Sequence, residues 1–337
     1  MSITVADLTE RDLIARIQTR LPPAPDWMLV GIGDDAAVVE PERNRVEVLS
    51  VDALVEGVHF DRAFVPPDAI GHRALAVNLS DLAAMGAAPR LALLSFALPS
   101  DLPIDDFDAV VTGLTALALR HNVHVAGGNL TRSPGPLMLD VTVVGTVKRR
   151  QALTRKGARP GDELYVSGTI GAAAAGLQML QSAVGSQQSA VERYLRPEPR
   201  VRLGLMLARN RAAAACIDLS DGLAEAVHQL AVASGVGAVI DAENVPIDPA
   251  VREWYEARGL DPVAESLAAG DDYELLFAVR PGAARRLAAA SRHGGAPITR
   301  IGRCTKGHEV TLRRVAGGSS TESSLPRTGF MHFRQEA

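Results

Sequence analysis

Strand-like apolar runs alternate with helix-like segments on both sides of one basic, apolar-poor stretch, KRRQALTRKGARPGD at 148–162. That alternation restricts the chain to an α/β or α+β architecture, because each element must bury its apolar face against one of the other kind. The Pro-Gly turn and the shortage of apolar residues make 148–162 the expected junction between two domains, 1–148 and 149–337. At 337 residues, the chain is long enough for two domains of ordinary size, each with its own core.

In the first half the pattern predicts a helix over about 9–21, with Thr9 as N-cap and Pro22-Pro23 closing it. Strands are expected at 27–32, 36–40, 46–51 and 54–60, then a helix from Pro67 to Met85 with Gly86 as its C′ residue. A strand at 91–98, a helix over about 105–120 and strands at 123–127 and 137–147 complete that half. Beyond the junction, ELYVSG starts a second α/β unit, followed by an alanine-rich helix at 170–180. Helices near 200–213 and 222–234 flank the strand ACIDLS; strands at 236–241, 273–279 and 297–303 and a helix at 282–292 follow.

Composition narrows the function classes. Hydrophobic content of 47% with 22% charged residues is that of a globular protein. A formal charge of -4 gives no electrostatic case for nucleic acid or an anionic membrane as partner. No apolar stretch approaches a bilayer-spanning length, and the first residues, MSITVADLTERDLIAR, lack the pattern of a signal peptide. Cys216 and Cys304 stand far apart with no CxxC pair, so neither a disulfide framework nor a structural zinc site is indicated. A cytoplasmic location is the simplest expectation.

Three chemistries compete for the polar motifs. GIGDDA at 31–36 satisfies Gly-x-Gly-x-x-Gly/Ala, but a dinucleotide fingerprint needs a helix after its glycines, and AAVVEPERNRVEVLS reads as strand-turn-strand. A P-loop is absent, since lysine occurs at 148, 156 and 306 and none follows a Gly-x-x-x-x-Gly. The third reading is a carboxylate cage for Mg2+ and a polyphosphate. Acidic residues recur at the ends of apolar runs: Asp34-Asp35, Asp52, Asp81, Asp218 and Asp221. Each alone is a plausible turn or cap aspartate. Together they suit phosphoryl transfer, in which hard cations held by oxygen ligands neutralise charge on the transferring group. In VAGGNLTR, 125–132, the paired glycines either let backbone N–H groups approach a phosphate or form a plain β-turn. Arg155 is either a phosphate clamp or an ordinary surface arginine.

The motifs GIGDDAAVV, VDALVEGVHF, AVNLSDLAAMGAAP, GGNLTRSPGPL, LTRKGARPGDELYVSGTIG, RPEPRVRLG, IDLSDGL, GDDYELLF and the terminal GFMHF occur in that order between Gly31 and Phe333, within a likeness that covers about residues 8–333. In this the chain closely resembles the thiamine-monophosphate kinases of the aminoimidazole-ribonucleotide-synthetase superfamily. The resemblance implies an N-terminal sheet domain that dimerises and a C-terminal α/β domain. It implies ATP as co-substrate, several Mg2+ ions, and direct transfer of the γ-phosphoryl group to thiamine monophosphate without a phosphoenzyme. By motif, Asp35, Asp52, Asp81, Asp218 and Asp221 become metal ligands and Ser50 supplies a further oxygen. Gly128, Asn129, Arg155 and Ser220 would contact ATP; His59, Asp271 and Phe330 would contact the thiamine phosphate. An aromatic face at Phe330 suits a flat cationic ring, although the residue could equally pin the C-terminal segment to the core.

Three positions depart from the family's commonest pattern. Val51 stands where a hydroxyl residue is usual, Asn129 replaces an aspartate, and Asp271 replaces a glutamate one methylene longer. The competing readings are an ATP-dependent synthetase of the same superfamily, acting on an amidine, selenide or thiocarboxamide-type substrate, and a non-catalytic nucleotide-binding homologue. A catalytic cysteine or glycine-rich tail ahead of the first strand would favour the former, and loss of acidic positions the latter.

Overall fold

The computed structural model describes residues 3–182 and 188–329. Two compact units make up the chain, one of Met1–Leu82 with Ala88–Arg149 and one of Ala83–Ala87 with Arg150–Ala337.

In the first unit, α1 (Glu10–Gln18) begins at a capping box: the Thr9 hydroxyl accepts from the Asp12 amide at 3.3 Å, and Asp12 accepts from the Thr9 amide at 2.9 Å. The helix stops at Gln18, three residues short of the expected end at 21. A two-stranded antiparallel ribbon follows, β1 (Met28–Val30) with β2 (Val38–Val39), shorter than the strands expected there.

Where separate strands at 46–51 and 54–60 were expected, one continuous strand runs, β3 (Arg45–Val55). Its extension past Val55 is stopped by a turn in which Gly57 takes φ +83° and the Val58 and His59 amides both return to the Val55 carbonyl. The remaining elements are α2 (Pro67–Ala84), β4 (Ala88–Pro99), α3 (Ile104–Arg120), β5 (His124–Ser133) and β6 (Met138–Lys148). The four-stranded sheet has the order β3-β6-β4-β5, antiparallel except for the β4–β5 pair, which α3 connects.

Helix α2 is buried without interruption from Ala69 to Ser80, and the burial takes in the polar side chains of His72, Arg73, Asn78 and Ser80. Its backbone meets that of α3 through two glycines. A Cβ on Gly71 would lie 1.8 Å from the Val110 carbonyl oxygen, and one on Gly113 would lie 1.8 Å from that of Asp68. Only hydrogen fits at either place. Gly86 closes the helix at φ +64°, as its C′ position requires.

The second unit contains β7 (Glu163–Ser167), α4 (Ala172–Ser182), α5 (Gln188–Leu195), α6 (Val201–Arg209), β8 (Ala215–Asp218), α7 (Leu223–Ser234) and β9 (Gly237–Asp241). Then come α8 (Pro249–Glu256), α9 (Pro262–Ala268), β10 (Leu275–Val279), α10 (Ala284–Gly294), β11 (Ile298–Thr305), β12 (Val310–Ala316) and β13 (Ser319–Ser324). Its sheet has the order β13-β12-β9-β11-β7-β10-β8, with β12 and β9 parallel and the other neighbours antiparallel. Strands β8, β9 and β10 are buried at every residue, which is why they read as apolar runs, ended in β8 and β9 by Asp218 and Asp241. Leu164, Val166, Ile217, Leu219, Leu276 and Ile301 centre the core.

Candidate functional site

In the first unit the sheet register decides what meets. Across β6, Ser50 lies opposite Val143 and Asp52 opposite Val141; both valines are fully buried, so the two polar side chains lie on the helix-covered face of an edge strand. From there the Ser50 hydroxyl donates to the carboxylate of Asp81 on α2. Ser50 and Asp81 are thus brought together, with Asp52 two residues along the same face.

Asp34 and Asp35 sit in a tight turn made possible by Gly33 at φ +118°. The Asp34 carboxylate accepts from the Asp35 amide at 2.8 Å, so Asp34 is used by the turn while Asp35 is exposed. The Nδ1 of His59 accepts from the Val55 amide at 3.0 Å, which fixes the neutral tautomer carrying its proton on Nε2.

Gly128 and Asn129 lie within β5 rather than in a β-turn, since that strand runs on to Ser133 beyond the expected end at 127. A Cβ on Gly128 would stand 1.9 Å from the Leu94 carbonyl oxygen, so close approach to β4 by itself demands glycine there. Strand β5 occupies the opposite edge of the sheet from β3. Three spacings of about 4.8 Å separate it from Ser50 and Asp52, too far for one ion to bridge.

In the second unit, Asp218 ends β8 and is 5% exposed. The loop after it is tied to the loop before β10 by a short ladder. The Leu219 amide donates to the Glu274 carbonyl (2.8 Å), Tyr273 to Leu219 (2.9 Å) and Asp271 to Ser220 (2.8 Å). Asp271 and Tyr273 take φ of +65° and +49°, a left-handed backbone that non-glycine residues seldom adopt. Gly222, at φ +104°, turns the chain into α7 directly after Asp221. Ser220, Asp221 and Asp271 are therefore gathered on two adjoining loops, with Asp218 at the strand end that leads into the first, four residues singled out in sequence. Exposed Arg155 donates to Gln229 of α7 at 2.8 Å, and the Gln229 amide reaches Glu225 one turn nearer the Asp221 end, at 3.3 Å. Phe330 lies outside the described residues.

Beneath Asp271 is a polar layer to which sequence reasoning assigned no role. Asp272, 2% exposed, accepts from the Gly171 amide at 2.6 Å and the Ala173 amide at 3.3 Å, tying down the start of α4. Burial pushes its carboxyl up to about 7, against the opposing pull of those amides and of Arg193. Glu274, fully buried, accepts from Ser167 Oγ (2.5 Å), Arg193 Nη2 (2.5 Å) and Arg200 Nε (2.6 Å). Burial alone would raise its carboxyl; the hydrogen bonds and charge of Arg200, with Arg193 and Ser167, outweigh it and the net direction is down. The motifs GDDYELLF and RPEPR thereby meet in one network. The signal was an acidic residue at every second position, 272 and 274, on the flank of an apolar strand.

Among the described residues, no group of three or more His, Cys, Asp or Glu side chains could by itself hold a metal ion. The donors that are present are hard oxygens. The Ser50–Asp81 contact with Asp52 beside it, and Asp218 with Asp221, are the kind of set magnesium takes when phosphate oxygens and water complete its shell.

The chain matches the family described as AIR synthase related protein, N-terminal domain, over residues 33–147, and its C-terminal domain over residues 159–315. Both halves are of the AIR synthase-related class. Thiamine-monophosphate kinase of Rhodopirellula baltica is 34% identical over 330 residues, 96% of this chain and 97% of that one. The crystal structure of thiamine-monophosphate kinase from Stenotrophomonas maltophilia K279a is 41% identical, with a TM-score of 0.81 over 90% of this chain and 96% of that one. The structure described as AaThiL complexed with AMPPCP and TMP is 31% identical, with a TM-score of 0.76 over 99% of this chain and all of that one. The chain belongs to the thiamine-monophosphate kinase family.

Proposed function

We propose that the chain transfers the γ-phosphoryl group of ATP to thiamine monophosphate, giving thiamine diphosphate and ADP. The observation that carries this reading is likeness along nearly the whole chain to a structure holding AMPPCP and TMP, joined to the oxygen-rich loops at 218–221 and 271.

The roles follow from chemistry. Asp35, Ser50, Asp52, Asp81, Asp218 and Asp221 supply the oxygens that would hold Mg2+. Several such ions, when bound, offset the charge on the polyphosphate during in-line transfer. Arg155 offers a planar fork of donors to ATP phosphates, and the Gly128 and Asn129 backbone and the Ser220 hydroxyl offer further contacts. His59, held with its proton on Nε2, presents a donor suited to a phosphate oxygen. Asp271 and Phe330 take the cationic ring system, the carboxylate by charge and the aromatic ring by its face. Direct transfer requires no nucleophilic side chain, and none is assigned.

A homodimer through the N-terminal domain fits the sheet. Leu49 and Val51 on edge strand β3 are 66% and 55% exposed, and Leu93 and Met138 lie on the same open face. An uncovered apolar edge and face of this kind is normally buried by a partner. Among the described residues no helix is long and apolar enough to cross a membrane, and the proposed location is cytoplasmic.

A coupled ADP-release assay tests the activity. Thiamine monophosphate with ATP and Mg2+ should support turnover, whereas thiamine and a panel of amidines should not. Turnover with an amidine but none with thiamine monophosphate would overturn the assignment.

A further inference from the structure

Glu225 and Gln229 stand four residues apart on α7, so their side chains share one face of the helix. The Gln229 amide nitrogen donates to Glu225 Oε1 at 3.3 Å, which settles the orientation of the amide. Its oxygen accepts from Arg155 Nη1 at 2.8 Å. A second α7 residue holds the backbone of the same loop. Ser234 Oγ donates to the Arg155 carbonyl at 3.0 Å and accepts from the Gly157 and Ala158 amides, both at 3.1 Å. Main chain and guanidinium of Arg155 are thus held by one helix, whose N-cap, Gly222, directly follows Asp221. Gln229 is half-buried and Arg155 exposed.

We propose that Gln229 is a positioning residue for the nucleotide: it orders the fork of Arg155 for the ATP phosphates without neutralising it. This rests on the reading of Arg155 as an ATP contact. An exposed arginine gives up several side-chain torsions when a phosphate orders it, and that entropy weakens binding. Gln229 orders part of the side chain beforehand, while Ser234 fixes the main chain from which it springs. The neutrality of the amide matters as much as its place. A carboxylate there would pair with the guanidinium and compete with phosphate for its charge and its two-pronged geometry. The glutamine oxygen takes one of five N–H donors and leaves the positive charge to the ligand.

The experiment compares Gln229→Leu, Gln229→Glu, Arg155→Ala and the double variant Arg155→Ala/Gln229→Leu, measuring kcat and KM for ATP and thiamine monophosphate separately, with Tm. Gln229→Leu keeps bulk and helix propensity and removes the acceptor. Its KM for ATP should rise roughly twofold to tenfold, the scale of one hydrogen bond, while KM for thiamine monophosphate stays in place. Gln229→Glu keeps an acceptor and adds charge. A merely structural tie would be served as well by that ion pair, whereas positioning requires KM for ATP to rise with Tm unchanged or higher. Arg155→Ala should raise the same KM at least as far as Gln229→Leu, and the double variant no further than Arg155→Ala alone. An unchanged KM for ATP in Gln229→Leu or in Gln229→Glu, beside a raised one in Arg155→Ala, would overturn the proposal and leave Arg155 as an ATP contact. No effect in Arg155→Ala would overturn the reading of Arg155 and the proposal with it. Equal rises for both substrates in Gln229→Leu, with a fall in Tm, would make Gln229 structural and overturn the proposal alone.

Discussion

The Ser50 hydroxyl on β3 donates to the carboxylate of Asp81 on α2, joining two positions 31 residues apart in sequence. A hydroxyl that donates to a carboxylate still has lone pairs to give, so the pair can present several oxygens to one cation. Asp81→Asn keeps an acceptor for Ser50 and the helix compatible, yet removes the charge. We expect at least a roughly 100-fold loss of kcat at saturating Mg2+, since bound metal is worth several kcal/mol of transition-state charge stabilisation. Tm should move by a few degrees at most. Turnover near the wild-type rate would remove Asp81 from the metal site.

Two adjacent glycines in β5 have unequal duties. A Cβ on Gly127 would meet Leu93 Cδ2 at 3.8 Å, an ordinary contact, whereas one on Gly128 would sit 1.9 Å from the Leu94 carbonyl oxygen. Gly127→Ala should be nearly neutral. Gly128→Ala must push β5 away from β4 and should cost about 1–3 kcal/mol, as overpacking does. Denaturant melts of the two variants decide it; equal stabilities would show that β5 can shift freely.

Much of this was legible in sequence, and the misses have physical causes. Helix α2 declared itself by a long periodic run ending at Gly86, and the buried strands of the second sheet by apolar runs. Helices α8 and α9 went unread although each carries an Asp-Pro start: Asp248 accepts from Ala250 at 2.9 Å and Asp261 from Val263 at 3.0 Å. They are eight and seven residues long, too short for periodicity to show. Hairpin β12–β13 was missed because Ser319–Ser324 is polar and exposed throughout, with no alternation to reveal it. At the site, the aspartates were visible as charges at strand ends. The Glu274 network was not, because Arg193 and Arg200 are 81 and 74 residues distant and meet Glu274 through tertiary packing alone.

That network should be a large contributor to stability. Removing one partner of a buried ion pair strands the others, at about 3–5 kcal/mol. Arg200 reaches Glu274 through both Nε and Nη2, and Arg193 through Nη2. Arg200→Lys, which loses the two-pronged geometry, should therefore destabilise more than Arg193→Lys. Glu274→Gln should lower Tm by roughly 10 °C, taking about 3 kcal/mol and the usual 2–4 °C per kcal/mol. If Arg193→Lys proved the more damaging, the fork at Arg200 would not be the main anchor.

Asp272 gives the second unit a pH dependence opposite in sign to that of Glu274. Burial raises the Asp272 carboxyl from its ordinary 3.8 to about 7 in the folded chain. Between those values the folded state holds a proton that the unfolded state has released, so stability falls as pH rises, by at most about 1.4 kcal/mol per pH unit. The contribution is fully present below pH 3.8 and is lost as pH rises through about 7. Glu274, whose carboxyl is lowered, contributes above its ordinary 4.5 and loses that contribution as pH falls through its folded value, so its window lies below that of Asp272. Asp272→Asn has nothing to titrate. Urea melts of wild type and Asp272→Asn at pH 5 and pH 7 should show the stability difference between them shifting by about 2 kcal/mol against the wild type at the higher pH. A difference that stays constant, or shifts in favour of the wild type, would mean that the Gly171 and Ala173 amides outweigh burial and that Asp272 is ionised throughout.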